Sequence, residues 1–577
     1  MVKFFIPAIK ADPRVVSASI RSKWIPLLFL LPLLLYFVLR SFETELTQFI
    51  IPYFPVEEDK SVGFYRDFVR LCLNEMLWLS FFLLLAWTAY VYLPVQAVFR
   101  KIEDLTLQSV SRYATLVIIA TFVASVSIGY FTLNGFANSG DEYVYLYQGE
   151  TMSEGRLWNK AHPLDEFFLY SHIPQKDGIS IGRFPPGWPL LLTLPFLLDV
   201  SPVWLNPVIA AAALMLFFSF ASRYYGQQVA WWSLVSVAFT SFFLFNAASF
   251  FSHAACWLMI TGFIYCLYLY LEKERDWYAL LAGACLGMTM ITRYYNAVLL
   301  MIPVLVFLFY NHGWKSIKTL VLIGVGTVPF IAFLLWYDYS VTGNALLPVT
   351  VWADPREALG FGVRGYTPLE GIEHFVRRIF LFLYWSSPAL LVLYVIFLFQ
   401  KIGNKSERFL HPEDYYLLML VVGYYFYYHI GGNQYGPRFW FEGTPFLTLF
   451  VVKKVVDSKK QWAWALFAAG LVYGIVKMPF IIGREDRIVD ERVDIYTAVE
   501  EAGISNAVVI VSNHTGIIRP MGQMDLTRNG LDYNNSVIYA HDLKERNREL
   551  MQFYPERSFY KYVRDRESVE GKLIRLR

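Results

Sequence analysis

Two adjacent carboxylates, Asp141 and Glu142, follow a long apolar run in NSGDEYVYLYQGETMSEGRLW. A carboxylate at the mouth of a membrane bundle is costly to desolvate, which marks it as a candidate functional group. The rival role is a helix cap, with Ser139 or Asp141 closing a helix that starts near Glu142. The two roles are compatible. Three cations stand in related places. Arg183 opens RFPPGWPLLL on the loop that carries Asp141, and Arg293 lies between two apolar runs in GMTMITRYYNAV with no acid close in sequence. Arg438 lies in the Gly-rich connection HIGGNQYGPRFWFEGTP, residues 429–445, with Tyr435 beside it. A guanidinium fork suits a phosphate. Snorkelling to lipid head groups is the other use of Arg293, and pairing with Glu442 is the other use of Arg438.

Two further groups carry polar chemistry. His253 begins an apolar run, where a lone His is more often solvated or capping than a ligand. The segment 336–380 holds Asp338, Asn344, Asp354, Arg356, Arg364, His374, Arg377 and Arg378. Long polar loops above a bundle usually work as lids or binding elements. His253, Tyr435 and Asn344 are therefore candidate substrate or metal contacts.

The elements that must position these residues are membrane helices. The chain has 577 residues, of which 56% are apolar and 17% charged. Its mean hydropathy is +0.41. A soluble domain is about 25% charged, so a soluble enzyme is excluded. The formal charge of +3 implies no nucleic-acid partner. Cys72, Cys256, Cys266 and Cys285 all lie in apolar runs without metal or redox spacing. About thirteen runs approach the ~20 residues of a span. They are 24–39, 72–98, 114–133, 203–221, 229–247, 254–271, 277–292, 295–310, 319–337, 378–400, 414–430, 440–456 and 462–480. The run 187–198 is too short and too rich in Pro to cross, and is read as a helix on the outer surface.

Basic residues set the orientation. The N-terminal Lys3, Lys10, Arg14, Arg21 and Lys23 and the basic loops at 98–113, 272–276, 313–318, 401–408 and 453–460 all fall inside if 187–198 does not cross. The outer side then carries loops 40–71 (acidic at Glu57, Glu58 and Asp59), 134–202 and 338–377, the short loop 431–439, and the tail after 481. In that tail TAVEEAG at 497–503 reads as a helix, and AVVIVS at 507–512 and SVIYA at 536–540 read as strands. The expected organisation has three parts. Residues 1–113 are a cytoplasmic segment with two accessory spans, 114–480 a catalytic membrane domain, and 481–577 a small α/β extracytoplasmic domain on an otherwise all-α polytopic bundle.

At these elements the sequence resembles the GT-C superfamily of integral-membrane glycosyltransferases. Within it, the sequence looks like the bacterial members related to protein O-mannosyltransferases, the lipid A aminoarabinose transferase and the RgtA/B/C/D-like domain. The resemblance rests on GDEYVYLYQGETMSEGRLW, FPPGWPLLL, LAGACLGMTMITRYYNAVLLMIPVL, SVTGNALLPVTVWADPREALGFG and YGPRFWFEGTPFL, in that order, and covers roughly residues 114–480. It implies a multi-pass protein of the inner cell membrane with its active site on the outer face. It implies a polyprenyl-phosphate monosaccharide as donor, a glycolipid, polysaccharide or protein as acceptor, and inversion at the sugar. Asp141, with Glu142 beside it, is implied as the catalytic carboxylate, and Arg293, Arg438 and Arg183 fit the departing phosphate. Several relatives carry a second acid between the third and fourth core spans. Here 248–253 has Ser252 and His253 instead, which puts a carboxylate-bound divalent metal in doubt. Two rivals stand. A transporter or flippase would place charges deep in the spans, where Glu75 is the main exception to an apolar interior. A ligase moving a whole glycan would leave a lipid diphosphate.

Overall fold

The computed structural model describes residues 25–50, 62–170, 172–403, 411–431, 434–512, 526–564 and 571–577. The basic N-terminal segment, the acids Glu57 to Asp59, and Lys405, Arg408 and Gly432 lie outside the described residues. Among the described residues, six helical stretches are long and apolar enough to cross a membrane, or seven if one bent pair counts as a span. The protein is a multi-pass membrane protein; thirteen separate crossings are not shown.

The described residues begin with α1 (Ile25–Ser41), α2 (Glu43–Ile50) and α3 (Val62–Tyr92). Residues 62–71, expected in an outer loop, are therefore helical, and Pro94 ends the run expected to reach 98. The amphipathic α4 (Val95–Thr106) leads into α5 (Val110–Ser127). Then come α6 (Gly140–Ser153) and α7 (Gly187–Leu197), with three two-residue strands between them: β1 (Asn159–Lys160), β2 (Gln175–Lys176) and β3 (Ile179–Ser180). Helix α7 has 11 residues, about 16 Å, which is half a bilayer core. It packs along α6, where Gly149 leaves room for Leu192.

The bundle continues through α8 (Leu205–Tyr225), α9 (Gln227–Ala238), α10 (Ser241–Ala248) and α11 (His253–Lys273). The expected span 229–247 is bent by 64° between α9 and α10. Helix α12 (Asp276–His312) leaves helical geometry at Arg293. There it folds back. Asp276 at its start pairs with Lys318 of α13 (Ser316–Thr342) at 2.8 Å, and Thr327 donates to the Gly283 carbonyl at 2.9 Å. The starts of α12 and α13 thus lie level, and residues 294–312, which join them in sequence, run back the other way. Gly283 and Gly326 face each other so closely that a Cβ on either would strike a carbonyl across the contact.

The loop before the next helices holds α14 (Val349–Ala353). Pro368 and the Thr367–Glu370 capping box start α15 (Pro368–Trp385). The expected span 378–400 is broken at Ser386 and Ser387, because Pro388 biases the preceding residue out of the helix before α16 (Pro388–Gly403). Next are α17 (Glu413–Tyr425), which stops short of residue 430, and α18 (Thr444–Ser458). Helix α19 (Gln461–Glu501) has 41 residues, so the tail helix expected at 497–503 is the end of the last long helix. The helix runs through Pro479 and ends before Gly503, whose φ is +61°. Inside the bundle Lys477 of α19 donates to Glu75 of α3 at 2.6 Å. The expected apolar interior therefore holds a buried ion pair, and Glu75 is neutralised by packing rather than left for transport.

Four strands follow: β4 (Ala507–Val511), β5 (Val537–His541), β6 (Ser558–Val563) and β7 (Lys572–Arg575), with α20 (Asn547–Phe553) before β6. Their order is β5-β4-β6-β7, with the first three parallel and β7 antiparallel. The sequence pattern showed β4 and β5; β6 and β7 alternate too many polar residues to stand out. Phe167 and Phe168 from the loop after α6 complete one face of this sheet, packing with Val508, Ile510, Ile538 and Phe559.

Candidate active site

Ser139 caps α6 by accepting the Glu142 amide at 3.2 Å. Asp141 is thereby free of the capping role. Its carboxylate receives Arg438 Nη1 on Oδ2 at 3.2 Å and faces His172 Nε2 at 3.4 Å from Oδ1. The Asp141 side chain is 24% exposed, against 6% for Arg438. Burial pushes the Asp141 carboxyl up, but Arg438, His172, His429 and Arg183 outweigh it and bring it down to about 2. Burial likewise keeps His172 and His429 neutral, at about 3 and about 4. His172 holds a left-handed φ of +67° beside Asp141, a strained backbone that the surrounding loop must enforce.

Glu142 points elsewhere, as adjacent residues on a helix must. It is fully buried, and its Oε1 accepts the Phe250 amide at 3.0 Å while Oε2 has no hydrogen-bond partner. Burial raises this carboxyl to about 7, against smaller pulls from the Phe250 amide and Arg438. A raised carboxyl favours the fold while it stays protonated. Stability is then fully present below pH 4.5, the ordinary value, and is lost as pH rises through about 7. The swing is of order 3 kcal/mol at most. Glu142→Gln should flatten this part of the pH–stability curve and raise thermal stability at pH 8, which a melting series from pH 5 to 8 reads directly. An unchanged slope would show that Glu142 is not the group responsible.

Arg293 sits at the fold-back of α12. Its Nη1 donates to Ser252 Oγ at 3.3 Å and its Nε lies 3.3 Å from Glu442 Oε1. His253 Nδ1 meets the same oxygen at 2.9 Å. Two sequence expectations change here. Arg293 has an acid partner in space although none is near in sequence, and Glu442 serves Arg293 and His253 instead of Arg438. His253 is also buried, not solvated, because α11 starts beneath the loop that holds Glu442. Arg438 instead lies 3.9 Å above the Phe251 ring and donates to the Gly431 carbonyl at 2.7 Å. Tyr145 of α6 lies within electrostatic reach of Arg293, Asp141 and Arg438, which joins the two clusters.

Arg183 closes the third side. It pairs with Glu357 at 3.4 Å, and Tyr427 and Tyr428 donate to the same carboxylate at 2.6 and 2.7 Å. Arg378 holds the connection after α17 by donating to the carbonyls of Tyr424, His429 and Ile430. Tyr435 is fully buried among Phe245, Phe251 and Trp385. Asn344 is not brought to this cluster by any recorded contact: its side chain caps Leu346 within an exposed turn. His172, His429 and Glu357 carried no sequence signal beyond lying in polar loops. Among the described residues no group of three His, Cys, Asp or Glu is placed to hold a metal ion.

The residues just before α6 are gripped from the tail. Arg492 of α19 donates to the Asn138 carbonyl and side-chain oxygen. Arg528 donates to the Ala137 carbonyl at 2.7 Å and stacks on Phe136 and Tyr143, at 4.0 and 4.9 Å. Tyr143 in turn donates to the Asn529 carbonyl at 2.9 Å.

Fold and site together define a helical membrane protein with a cluster of guanidinium and carboxylate groups around Asp141, Arg438, Arg183 and Arg293. Residues 185–337 match the family model described as dolichyl-phosphate-mannose-protein mannosyltransferase. That segment holds PPGWPLLL and MITRYYNAV, and the match bears out the GT-C resemblance read from the sequence. No curated protein matches the chain. Among solved structures, ArnT from Cupriavidus metallidurans bound to undecaprenyl phosphate is similar at 8% identity and a TM-score of 0.47, covering 78% of this chain and 92% of that one. The apo form of the same protein gives 10% and 0.47, with coverages of 79% and 90%. The Archaeoglobus fulgidus oligosaccharyltransferase in complex with Zn and sulfate gives 10% and 0.38, with 77% and 68%. At these values the likenesses say nothing of the site.

Proposed function

We propose that the protein is a membrane glycosyltransferase that moves one sugar from a polyprenyl-phosphate donor to an acceptor hydroxyl at the outer face of the inner membrane. The observation that carries the reading is the accessible, ionised Asp141 facing Arg438, with Arg183 and Arg293 close by. The donor phosphate would take the place of carboxylates on these guanidinium groups. The acceptor oxygen attacks the anomeric carbon and its proton passes to Asp141. The bond from that carbon to the phosphate oxygen breaks, and polyprenyl phosphate leaves with the charge held by the Arg cluster. The configuration inverts.

A carboxyl at about 2 is a weak base in the empty site. Donor binding strengthens it, because an anion on Arg438 and Arg183 cancels the field that holds Asp141 down. The base is thus weak until the donor is present. The same guanidinium groups oppose a divalent cation at Asp141, which supports a reaction run without a metal. The outward orientation, the thirteen crossings and an extracytoplasmic tail domain belong to this reading. Incubating the purified protein with a panel of polyprenyl-phosphate sugars tests it. Release of lipid monophosphate with sugar transfer supports the reading, release of lipid diphosphate from a glycan donor favours a whole-glycan ligase, and no turnover of any donor removes the reading.

Arg528 then becomes a positioning residue, since it holds the irregular segment that enters α6 and has no recorded contact with Asp141 or Arg438. Arg528→Ala should lower the turnover number about tenfold while donor affinity stays within twofold, as the lost charge-assisted hydrogen bond contributes about 1.5–3 kcal/mol to α6 placement. Arg528→Lys should restore part of it. Equal losses in donor affinity and turnover would point to general unfolding of the loop instead.

A further inference from the structure

The Asp141 carboxylate is met on both oxygens by different groups. Arg438 Nη1 lies 3.2 Å from Oδ2, and His172 Nε2 lies 3.4 Å from Oδ1. Only one of these contacts outlasts donor binding in the reading above, because the phosphate takes the Arg438 guanidinium. Arg438 is pinned through Nε to the Gly431 carbonyl at 2.7 Å, which leaves its Nη atoms for the phosphate. A carboxylate released at Oδ2 can swing about its Cβ–Cγ bond, whereas a general base must stay within hydrogen-bond reach of the proton it takes.

His172 stands at the other oxygen in a strained turn. The Ile173 amide donates to the Tyr170 carbonyl at 3.1 Å, and the Arg183 amide donates to the His172 carbonyl at 3.1 Å. Tyr170 and Ile173 are buried against Val144 and Tyr147 of α6, and the imidazole lies 5.6 Å from the Phe184 ring. In this clamped turn His172 takes a φ of +67°, a conformation that suits Gly or Asn better. The turn alone would select one of those residues. What an imidazole adds is Nε2 beside Asp141. The ring is faced by Asp141 from α6, Arg183 from the loop before α7, Arg364 from the loop before α15 and His429 from the connection after α17. Burial and the two guanidinium groups keep it neutral. A neutral ring nitrogen facing an ionised carboxylate carries its hydrogen towards it.

We propose that His172 is a positioning residue for the base: its Nε2–H holds Asp141 Oδ1 once the donor has taken Arg438, so that Oδ2 is turned to the acceptor hydroxyl; this rests on the glycosyltransferase reading above. The acceptor proton goes to Oδ2 as the acceptor oxygen bonds to the anomeric carbon. His172 stays neutral throughout and passes no proton. The contact is 3.4 Å in the empty site, and it tightens when Arg438 lets go, as catalytic hydrogen bonds commonly do on substrate binding.

Two substitutions with opposite demands on the turn test this. Asn adopts a left-handed φ readily, but its short amide reaches only the place of Nδ1. Gln strains the turn as His does, yet its amide nitrogen reaches the place of Nε2. If His172 served the turn alone, His172→Asn would be the more active variant. Positioning demands the reverse order. His172→Gln should keep kcat within about threefold of the wild type, and His172→Asn should lower it at least ~10-fold, the effect of one charge-assisted hydrogen bond. Donor affinity and the KM for acceptor should stay within about twofold in both, and the Asn variant should melt no lower than the Gln variant. The acid limb of kcat against pH should move up by about one pH unit in His172→Asn and stay in place in His172→Gln, because a carboxylate that loses a donor is protonated more easily. The assays use the full-length protein in detergent with a polyprenyl-phosphate sugar that the wild type turns over. A Gln variant no faster than the Asn variant, an unmoved acid limb in His172→Asn, or donor affinity falling in step with kcat would each overturn the proposal. Failure of the glycosyltransferase reading is seen separately, as a wild-type protein that turns over no donor.

Discussion

Asp141→Asn is expected to give a protein that folds and binds the lipid donor but turns over at least ~10²-fold more slowly, the loss typical of removing a general base. Asn matches Asp in shape. The cap of α6 is unaffected because Ser139 provides it, so any lost activity is not lost helix. Arg438 keeps its hydrogen bond to the Gly431 carbonyl and its place above Phe251. Without the carboxylate its charge is less neutralised, so donor affinity should hold or rise. Transfer rates and donor binding measured side by side decide the matter. A variant with near-normal turnover would remove Asp141 from the chemistry. Weakened donor binding with normal turnover at saturation would make it a structural partner of Arg438.

Arg293→Ala should weaken donor binding about 10–100-fold, since a charge-assisted hydrogen bond contributes about 1.5–3 kcal/mol. The KM for acceptor should move little. Two features make the variant interpretable. Arg293 lies at a fold-back whose backbone is extended, with φ at −148°, so Ala fits without strain. Glu442 keeps His253 at 2.9 Å after the guanidinium is gone, so the buried carboxylate is not orphaned. Arg293→Lys should recover only part of the affinity, because a point charge replaces a fork. Donor titration of the three proteins checks this, and equal affinities would assign Arg293 to holding Glu442 alone.

Sequence alone determined the membrane class, since the energetic cost of apolar runs in water leaves no other solvent for them. It also brought out Asp141, Arg183, Arg293 and Arg438, because a carboxylate at the mouth of a bundle and a guanidinium group without an acid close in sequence are conspicuous. The helix at 140–153 and the short α7 were legible for local reasons: a Ser or Asp able to cap, a Gly-Asp-Glu start, and Pro residues that bound an eleven-residue run. Tertiary structure decided what those residues do to one another. The partners of Asp141 come from residues 172 and 438, and that of Arg293 from residue 442, so no spacing rule along the chain could pair them. Only packing shows that Ser139 is the cap, that Glu142 turns inward under the Phe250 amide, and that His253 is buried. Breaks were decided jointly. Pro388 marks one in the sequence, whereas the fold-back at Arg293 has no Gly or Pro and is held by α13 lying level with the start of α12. Residues 137 and 138 are fastened by Arg528 and Arg492, some 350 residues or more later in the chain. Such long-range contacts depend on where the chain returns, which is a property of the whole packed bundle and not of any local run of residues.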